Sequence, residues 1–143
     1  MSRSPIPISG QLSVLRALFP GGCVISGTSR HMVWEMDISP TPNSRMYRIR
    51  IEYDWDKSPR VYVVRPQQLE TLVGCNSLPH VYSTTEQRIC LYYPTFKEWE
   101  PTKFIAKTIV PWASEWLLFY EIWLASGEWC GEGIHYDNKK SGA

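Results

Sequence analysis

The sequence predicts an α+β fold in which helices cover one face of an antiparallel β-meander. Three features of the sequence support this fold. Gln11 to Phe19 has the apolar spacing of a short helix and stops at Pro20-Gly21-Gly22. Two later segments alternate as half-buried strands do, and a third, shorter strand follows them. Trp112 to Ser126 carries a wide apolar face and is the strongest helix of the chain.

The predicted strands follow one another closely. The first alternates over Met32 to Ile38, and the second alternates over Tyr47 to Tyr53. The third runs from Val61 to Val64, and Cys23 to Ser26 adds a further strand at the edge. Because the turns between these segments are short, we expect neighbouring strands to pair in an antiparallel manner.

The pattern weakens after Pro66, which closes the third strand. One helical turn is predicted at Gln68 to Val73, and mostly irregular backbone from Leu78 to Phe96. A short helix is then predicted over Phe104 to Val110, with Thr102 at its N-cap position.

Proline and glycine then mark the limits of the last helix. Pro111 is expected to interrupt or restart the helical pattern before Trp112. Gly127 is the expected C-cap of the strongest helix.

Length and charge indicate one domain without a nucleic-acid footprint. The 143 residues fit a single compact unit, in which we expect residues 1–9 and 131–143 to be flexible. The 15 basic and 14 acidic residues give a net charge of +1, so nucleic-acid binding is not predicted. The chain lacks a secretion-signal pattern and an apolar run of transmembrane length. We therefore expect a cytoplasmic protein without a membrane partner.

The four cysteines, Cys23, Cys75, Cys90 and Cys130, lie at scattered spacings without a CxxC pair. In the cytoplasm we expect them to be reduced. A zinc site could be drawn from Cys75, His80, Cys90, Cys130 and His135, but these spacings match no common site, so no metal is predicted. The chain also lacks phosphate-binding and dinucleotide-binding glycine motifs, and no cofactor is predicted.

Cys90 is the candidate nucleophile, and His80 is its candidate helper. A nucleophilic cysteine needs thiolate character, partial access and donors for the oxyanion. Cys90 follows the polar loop 83–88, and Arg88, two residues away, is expected to favour the thiolate. His80 lies ten positions upstream, within reach of a folded loop. The alternative is that Cys90 is a small core residue and His80 a structural histidine.

The segment from His80 to Pro101 resembles the active-site segment of ubiquitin-conjugating enzymes. That family has a His-Pro-Asn motif, a short loop, a catalytic cysteine followed by leucine, and Trp-x-Pro before a helix. Ile89-Cys90-Leu91 and Trp99-Glu100-Pro101 match this pattern in residue type and nearly in spacing. The resemblance implies a ubiquitin-conjugating-enzyme-like fold with Cys90 as the catalytic residue.

The sequence departs from this family at the asparagine that supports the oxyanion. If His80 is aligned with the family's histidine, Tyr82 occupies the asparagine position. If Pro79-His80-Val81-Tyr82 is aligned with Pro-Asn-x-Tyr, His80 itself replaces the asparagine and the loop is longer. We prefer the second alignment because it keeps Val-Tyr-Ser in register, and it makes His80 an oxyanion donor or a base.

The C-terminal half, TIVPWASEWLLFYEIWLASGEW, is similar to prokaryotic conjugating-enzyme-like proteins of short type II CBASS anti-phage systems. That resemblance implies a bacterial protein whose cysteine binds the C-terminus of a cGAS-like nucleotidyltransferase and transfers it to an amine acceptor of unknown identity. The short systems encode no separate activating enzyme. Two other hypotheses remain: a non-catalytic scaffold of the same fold that holds the partner's tail, and an interaction domain of another family.

Overall fold

The computed structural model describes residues 4–91 and 99–130, which form two α-helices, a 3₁₀ helix and a sheet. The elements in chain order are α1 (Ile8–Leu18), β1 (Cys23–Gly27), β2 (His31–Ile38), β3 (Tyr47–Asp54), β4 (Arg60–Arg65), β5 (Val81–Ser83), β6 (Arg88–Ile89), the 3₁₀ helix (Ile105–Lys107) and α2 (Ile109–Ser126). This arrangement is α+β, as the sequence predicts.

All six strands of the described region belong to one antiparallel sheet, with the order β1-β2-β3-β4-β6-β5. The predicted meander and its edge strand are therefore confirmed. Strands β2 and β3 pair without interruption from His31↔Asp54 to Ile38↔Tyr47. The two outer strands are less regular, because the register shifts between Val24 and Ser26 in β1 and between Val81 and Ser83 in β5.

One face of the sheet packs against the helices. Alternation along β2, β3 and β4 buries every second side chain in a single core that also contains buried side chains of α1 and α2. Tyr47 of β3 meets Tyr120 of α2 edge to face, with ring centroids 6.4 Å apart. The opposite face carries ion pairs, including Arg48 with Glu35 and Arg60 with Glu52. A sheet that is apolar on one side only is typical of helices packed on one face.

The N-terminal helix begins earlier than the sequence predicts. It starts at Ile8 rather than Gln11, since Ile8 is buried and Pro7, in extended conformation, occupies the N-cap position. The backbone N–H of Ile6 donates to the carbonyl of Pro101, which ties the lead-in to the segment before the 3₁₀ helix.

The prediction for the region after β4 is partly wrong. Gln68 to Val73 forms a bend, a stretch of coil and the start of a tight turn instead of a helical turn. The segment expected to be irregular contains β5 and β6, which complete the sheet. These strands have three and two residues, too few for the alternation that reveals a strand in sequence. Residues 92–96 of that segment lie outside the described residues.

The entry to α2 also differs from the prediction. Thr102 lies in a turn, and Phe104 takes the N-cap position of the 3₁₀ helix instead. Helix α2 then begins at Ile109, with Pro111 in its first turn, where a missing N–H costs nothing. Gly127 ends α2 in the left-handed conformation, with φ 82°, and donates to Trp123 O at 2.8 Å. The predicted C-cap is therefore confirmed.

Gln11 is a buried polar side chain whose hydrogen bonds join α1 to the start of the 3₁₀ helix. Its Nε2 donates to Lys103 O at 2.9 Å, and its Oε1 accepts from the backbone N–H of Ile105 at 2.9 Å. The Gln11 side chain is fully buried, as is Ile105. Because a buried amide must have its partners, these bonds fix the position of α1 on the core.

We expect Gln11→Leu to lower the free energy of unfolding by about 2 kcal/mol, because the buried Ile105 N–H loses its acceptor. Urea denaturation followed by tryptophan fluorescence measures the change. Gln68→Leu, at an exposed glutamine, is the control and should change stability by no more than ~0.5 kcal/mol. Equal stability of the two variants would contradict the assigned role of Gln11.

Candidate functional site

Cys90 lies at the end of the shortest strand of the described sheet. It directly follows β6, which is held between β4 and β5 by the pairs Val61↔Ile89 and Val81↔Ile89. Its side chain is half-buried rather than enclosed in the core. The sheet therefore fixes the backbone on one side of Cys90, and the residue as a whole is partly exposed.

His80 is adjacent to Cys90 through the backbone. The Cys90 N–H donates to the carbonyl oxygen of His80 at 3.0 Å, so the two predicted site residues do come together. The same oxygen accepts a hydrogen bond from the indole Nε1 of Trp116 at 2.9 Å. Residue 80 thus links the β5–β6 hairpin to helix α2.

The backbone of His80 has a left-handed conformation, with φ 48°. Residues other than glycine rarely adopt this conformation, and asparagine, aspartate and histidine are the ones enriched in it. A strained backbone conformation of this kind is often found at functional sites. The conformation of residue 80 therefore suits histidine or asparagine much better than a bulky or branched residue.

A cluster of three aromatic side chains, Trp116, Phe119 and Trp129, orients the His80 ring. The imidazole stacks on the indole of Trp129, with ring centroids 5.0 Å apart and planes 19° apart. Trp129 in turn contacts Trp116 and Phe119 of α2, at 5.5 and 5.9 Å between centroids. Trp129 lies beyond Gly127, where the helical pattern has ended, so no periodicity marks it as a packing residue.

Gln87 fixes the other end of β6. Its buried side chain accepts from the N–H of Leu69 and donates to Val63 O at 2.8 Å and Pro66 O at 3.1 Å. Its backbone also has positive φ, at 52°. Gln87, which the sequence places in a polar loop, is therefore buried, and its hydrogen bonds join the hairpin to β4 and the following loop.

Arg88 lies between Gln87 and the Ile89-Cys90 dipeptide. Its guanidinium carbon lies 4.4 Å from the centroid of the Tyr82 ring, a cation–π contact across the hairpin. Its influence on the Cys90 thiolate stays a prediction.

The surroundings of two buried tyrosines, Tyr47 and Tyr120, raise the pKa of each phenol. Burial, and then the nearby carboxylate of Glu70, raise the pKa of Tyr120 to about 12. Burial and the hydrogen bond to Glu121 likewise raise the pKa of Tyr47. Tyr120 donates to Glu70 O at 2.7 Å and stacks on Trp116, with centroids 5.6 Å apart. Tyr120 thus packs against the indole of Trp116, whose N–H donates to His80 O.

No three His, Cys, Asp or Glu side chains converge on a possible metal position within residues 4–91 and 99–130. His135 of the zinc alternative lies outside that range. Neither described helix has the length and apolarity required to cross a bilayer.

The described fold has an N-terminal helix, an antiparallel sheet and a C-terminal helix, and a cysteine directly follows the last strand. These features define the class of ubiquitin-conjugating-enzyme-like (E2-like) proteins. The model of one family within this class, the type II CBASS E2 protein, matches residues 11–136. The chain belongs to this family. A comparison with curated proteins gave no match.

We expect Trp116→Phe to loosen the backbone around Cys90, because phenylalanine keeps an aromatic ring but lacks the N–H that donates to His80 O. Hydrogen exchange of the Cys90 amide, followed by NMR, should become about fivefold faster, equivalent to ~1 kcal/mol. Trp123→Phe is the control, since no indole hydrogen bond of Trp123 is found among the described residues. If both variants accelerate exchange equally, packing rather than the hydrogen bond holds the site.

Proposed function

We propose that this protein is a cysteine-dependent, E2-like acyl transferase. Cys90 forms a thioester with the C-terminus of a cGAS-like nucleotidyltransferase in the bacterial cytoplasm and then transfers it to an amine acceptor. The modification primes cyclic-nucleotide anti-phage signalling. The observation that carries the proposal is a half-buried cysteine at the end of β6, with its N–H bonded to the residue that carries the candidate helper imidazole.

The transfer takes place in two steps. The Cys90 thiolate attacks the carbonyl carbon of a C-terminus that has already been activated, as an acyl adenylate or a thioester. An S–C bond forms, and the activating group leaves with the electrons of its own bond. An amine then attacks the same carbon, so that a C–N bond forms and the C–S bond breaks. Cys90 is regenerated as thiolate, and the amine proton goes to solvent.

His80 is proposed to support the oxyanion that develops during both steps. A ring N–H supplies the donor that an asparagine amide supplies in ubiquitin-conjugating enzymes. The left-handed backbone of residue 80 supports the alignment in which His80 replaces that asparagine, since both residues tolerate this conformation. Stacking on Trp129 restricts the rotation of the ring, so less entropy is lost when the donor is aligned.

Replacing Cys90 by alanine is expected to abolish the covalent adduct with the nucleotidyltransferase. Intact-mass analysis without reductant, after incubation with the partner and its activated C-terminus, measures the adduct. Cys75→Ala removes another half-buried thiol and should leave the adduct intact. An unchanged adduct in Cys90→Ala would refute the proposal. A Cys90→Ala protein that still fully supports the partner's activity would favour the scaffold hypothesis instead.

Three replacements of His80 distinguish the contribution of its ring from that of its backbone conformation. His80→Asn keeps an N–H donor and tolerates positive φ, so adduct formation should stay within about threefold of the wild-type rate. His80→Gly tolerates the backbone but has no donor, and we expect a loss of about 100-fold. His80→Ala should be at least as slow. A glycine variant as fast as the wild type would exclude a role for the imidazole in the reaction.

A further inference from the structure

Arg88 differs from three other arginines on the solvent-facing side of the sheet. Arg48 pairs with Glu35, Arg50 with Glu52, and Arg60 with Asp54, at N–O distances of 2.8, 2.9 and 3.2 Å. Within the part of the chain that the structure describes, no ion pair or hydrogen bond of the Arg88 guanidinium is found. Its Nε atom is moreover buried without an acceptor. A buried N–H of a charged group without an acceptor is unfavourable. A partner that approaches from solvent would bind the terminal Nη atoms of the same guanidinium.

The Arg88 side chain is held in place across the sheet. Arg50, Tyr62 and Arg88 are cross-strand neighbours on β3, β4 and β6. Arg50 stacks over Tyr62 at 5.1 Å, and Arg88 stacks over Tyr82 at 4.4 Å. Stacking engages the face of a guanidinium and leaves the N–H donors in its plane for a carboxylate. Arg50 has such a carboxylate, Glu52, whereas no carboxylate of residues 4–91 and 99–130 pairs with Arg88.

The cavity beside Arg88 excludes a small organic ligand. It measures about 30 Å³ and is lined by residues of the loop before β4, the start of β4, the β5–β6 hairpin and the chain just after it, among them Arg60, Tyr82, Arg88 and Leu91. Sites for small molecules are roughly tenfold larger or more. A partner that reaches Arg88 must therefore lie across the surface, as an extended peptide does.

We propose that Arg88, stacked on Tyr82, binds an acidic side chain in the C-terminal tail that Cys90 accepts. This inference rests on the proposed function and adds the feature of the tail that the protein recognises. Charge-assisted hydrogen bonds between guanidinium and carboxylate are the strongest and most directional pairing available to Arg88.

The charges around Arg88 favour a single carboxylate over a polyanion. Glu52 and Asp54 lie on the same face of the sheet, each bonded to Arg60. A nucleic-acid backbone would bring several phosphates against these carboxylates, and like charges repel. The net charge of +1 offers no compensating field.

The chain geometry locates the acidic residue within the tail. Arg88 and Cys90 are two positions apart, or about 7 Å along an extended backbone. A tail that lies extended with its terminal carbonyl at Cys90 places the side chain two residues before its last residue next to Arg88. The recognised carboxylate is therefore that of an Asp or Glu at the third position from the end.

Equilibrium binding of fluorescent peptides to the full-length Cys90→Ser protein tests this without any covalent step. The probes end in Glu-Ala-Gly, Gln-Ala-Gly or Lys-Ala-Gly and are otherwise identical. We expect the Glu probe to bind about tenfold more tightly than the Gln probe. Arg88→Gln should remove this preference, whereas Arg50→Gln, the matched stacked arginine, should retain it. Arg88→Glu should reverse the preference to the Lys probe, an outcome that misfolding cannot produce.

Equal affinity of Cys90→Ser for the Glu and Gln probes would overturn the inference, and so would an equal effect of Arg50→Gln and Arg88→Gln. The reaction of the corresponding peptide thioesters with the unmodified Cys90 protein is measured separately by intact mass. If no thioester transfers to Cys90, the proposed function fails, whatever the binding preference. If both thioesters transfer equally and both probes bind equally, only the role of Arg88 fails.

Discussion

The carbonyl oxygen of His80 is the point at which the sheet, the last helix and the candidate nucleophile meet. It accepts hydrogen bonds from the Cys90 N–H and from the indole of Trp116. Both bonds belong to the backbone of residue 80, so they do not depend on its side chain. The main chain of residue 80 therefore links Cys90 to α2 through one shared oxygen, while its ring stacks on Trp129.

Two buried glutamines form side-chain hydrogen bonds with backbone groups of other segments. Gln87 bonds three backbone groups of β4 and the loop after it, and Gln11 bonds two backbone groups around the start of the 3₁₀ helix. A primary amide has both donors and an acceptor, so it can replace a strand partner or a helical turn. A two-residue strand such as β6 can hold a fixed position because such side-chain bonds extend its few backbone pairs.

The parts of the fold that the sequence predicts are those with a repeated pattern. The alternation in β2 and β3, and the Pro20-Gly21-Gly22 stop after α1, are read from neighbouring residues alone. Strands β5 and β6 are too short for a period, and Gln87 looks like a solvent-facing loop residue because its partners lie up to 24 positions away. Cys90 and His80 were predicted from a motif, whereas Trp129 has no motif and acquires its role only through tertiary contact.

The register shifts in the two outer strands of the sheet bear on how the molecule behaves among its own copies. A straight outer strand offers a regular row of N–H and C=O groups on which another chain can add and propagate a fibril. Here β1 is offset between Val24 and Ser26, and β5 spans only three residues with an offset of its own. Neither margin presents a long template, so self-association by strand addition is disfavoured even when the protein accumulates to high concentration.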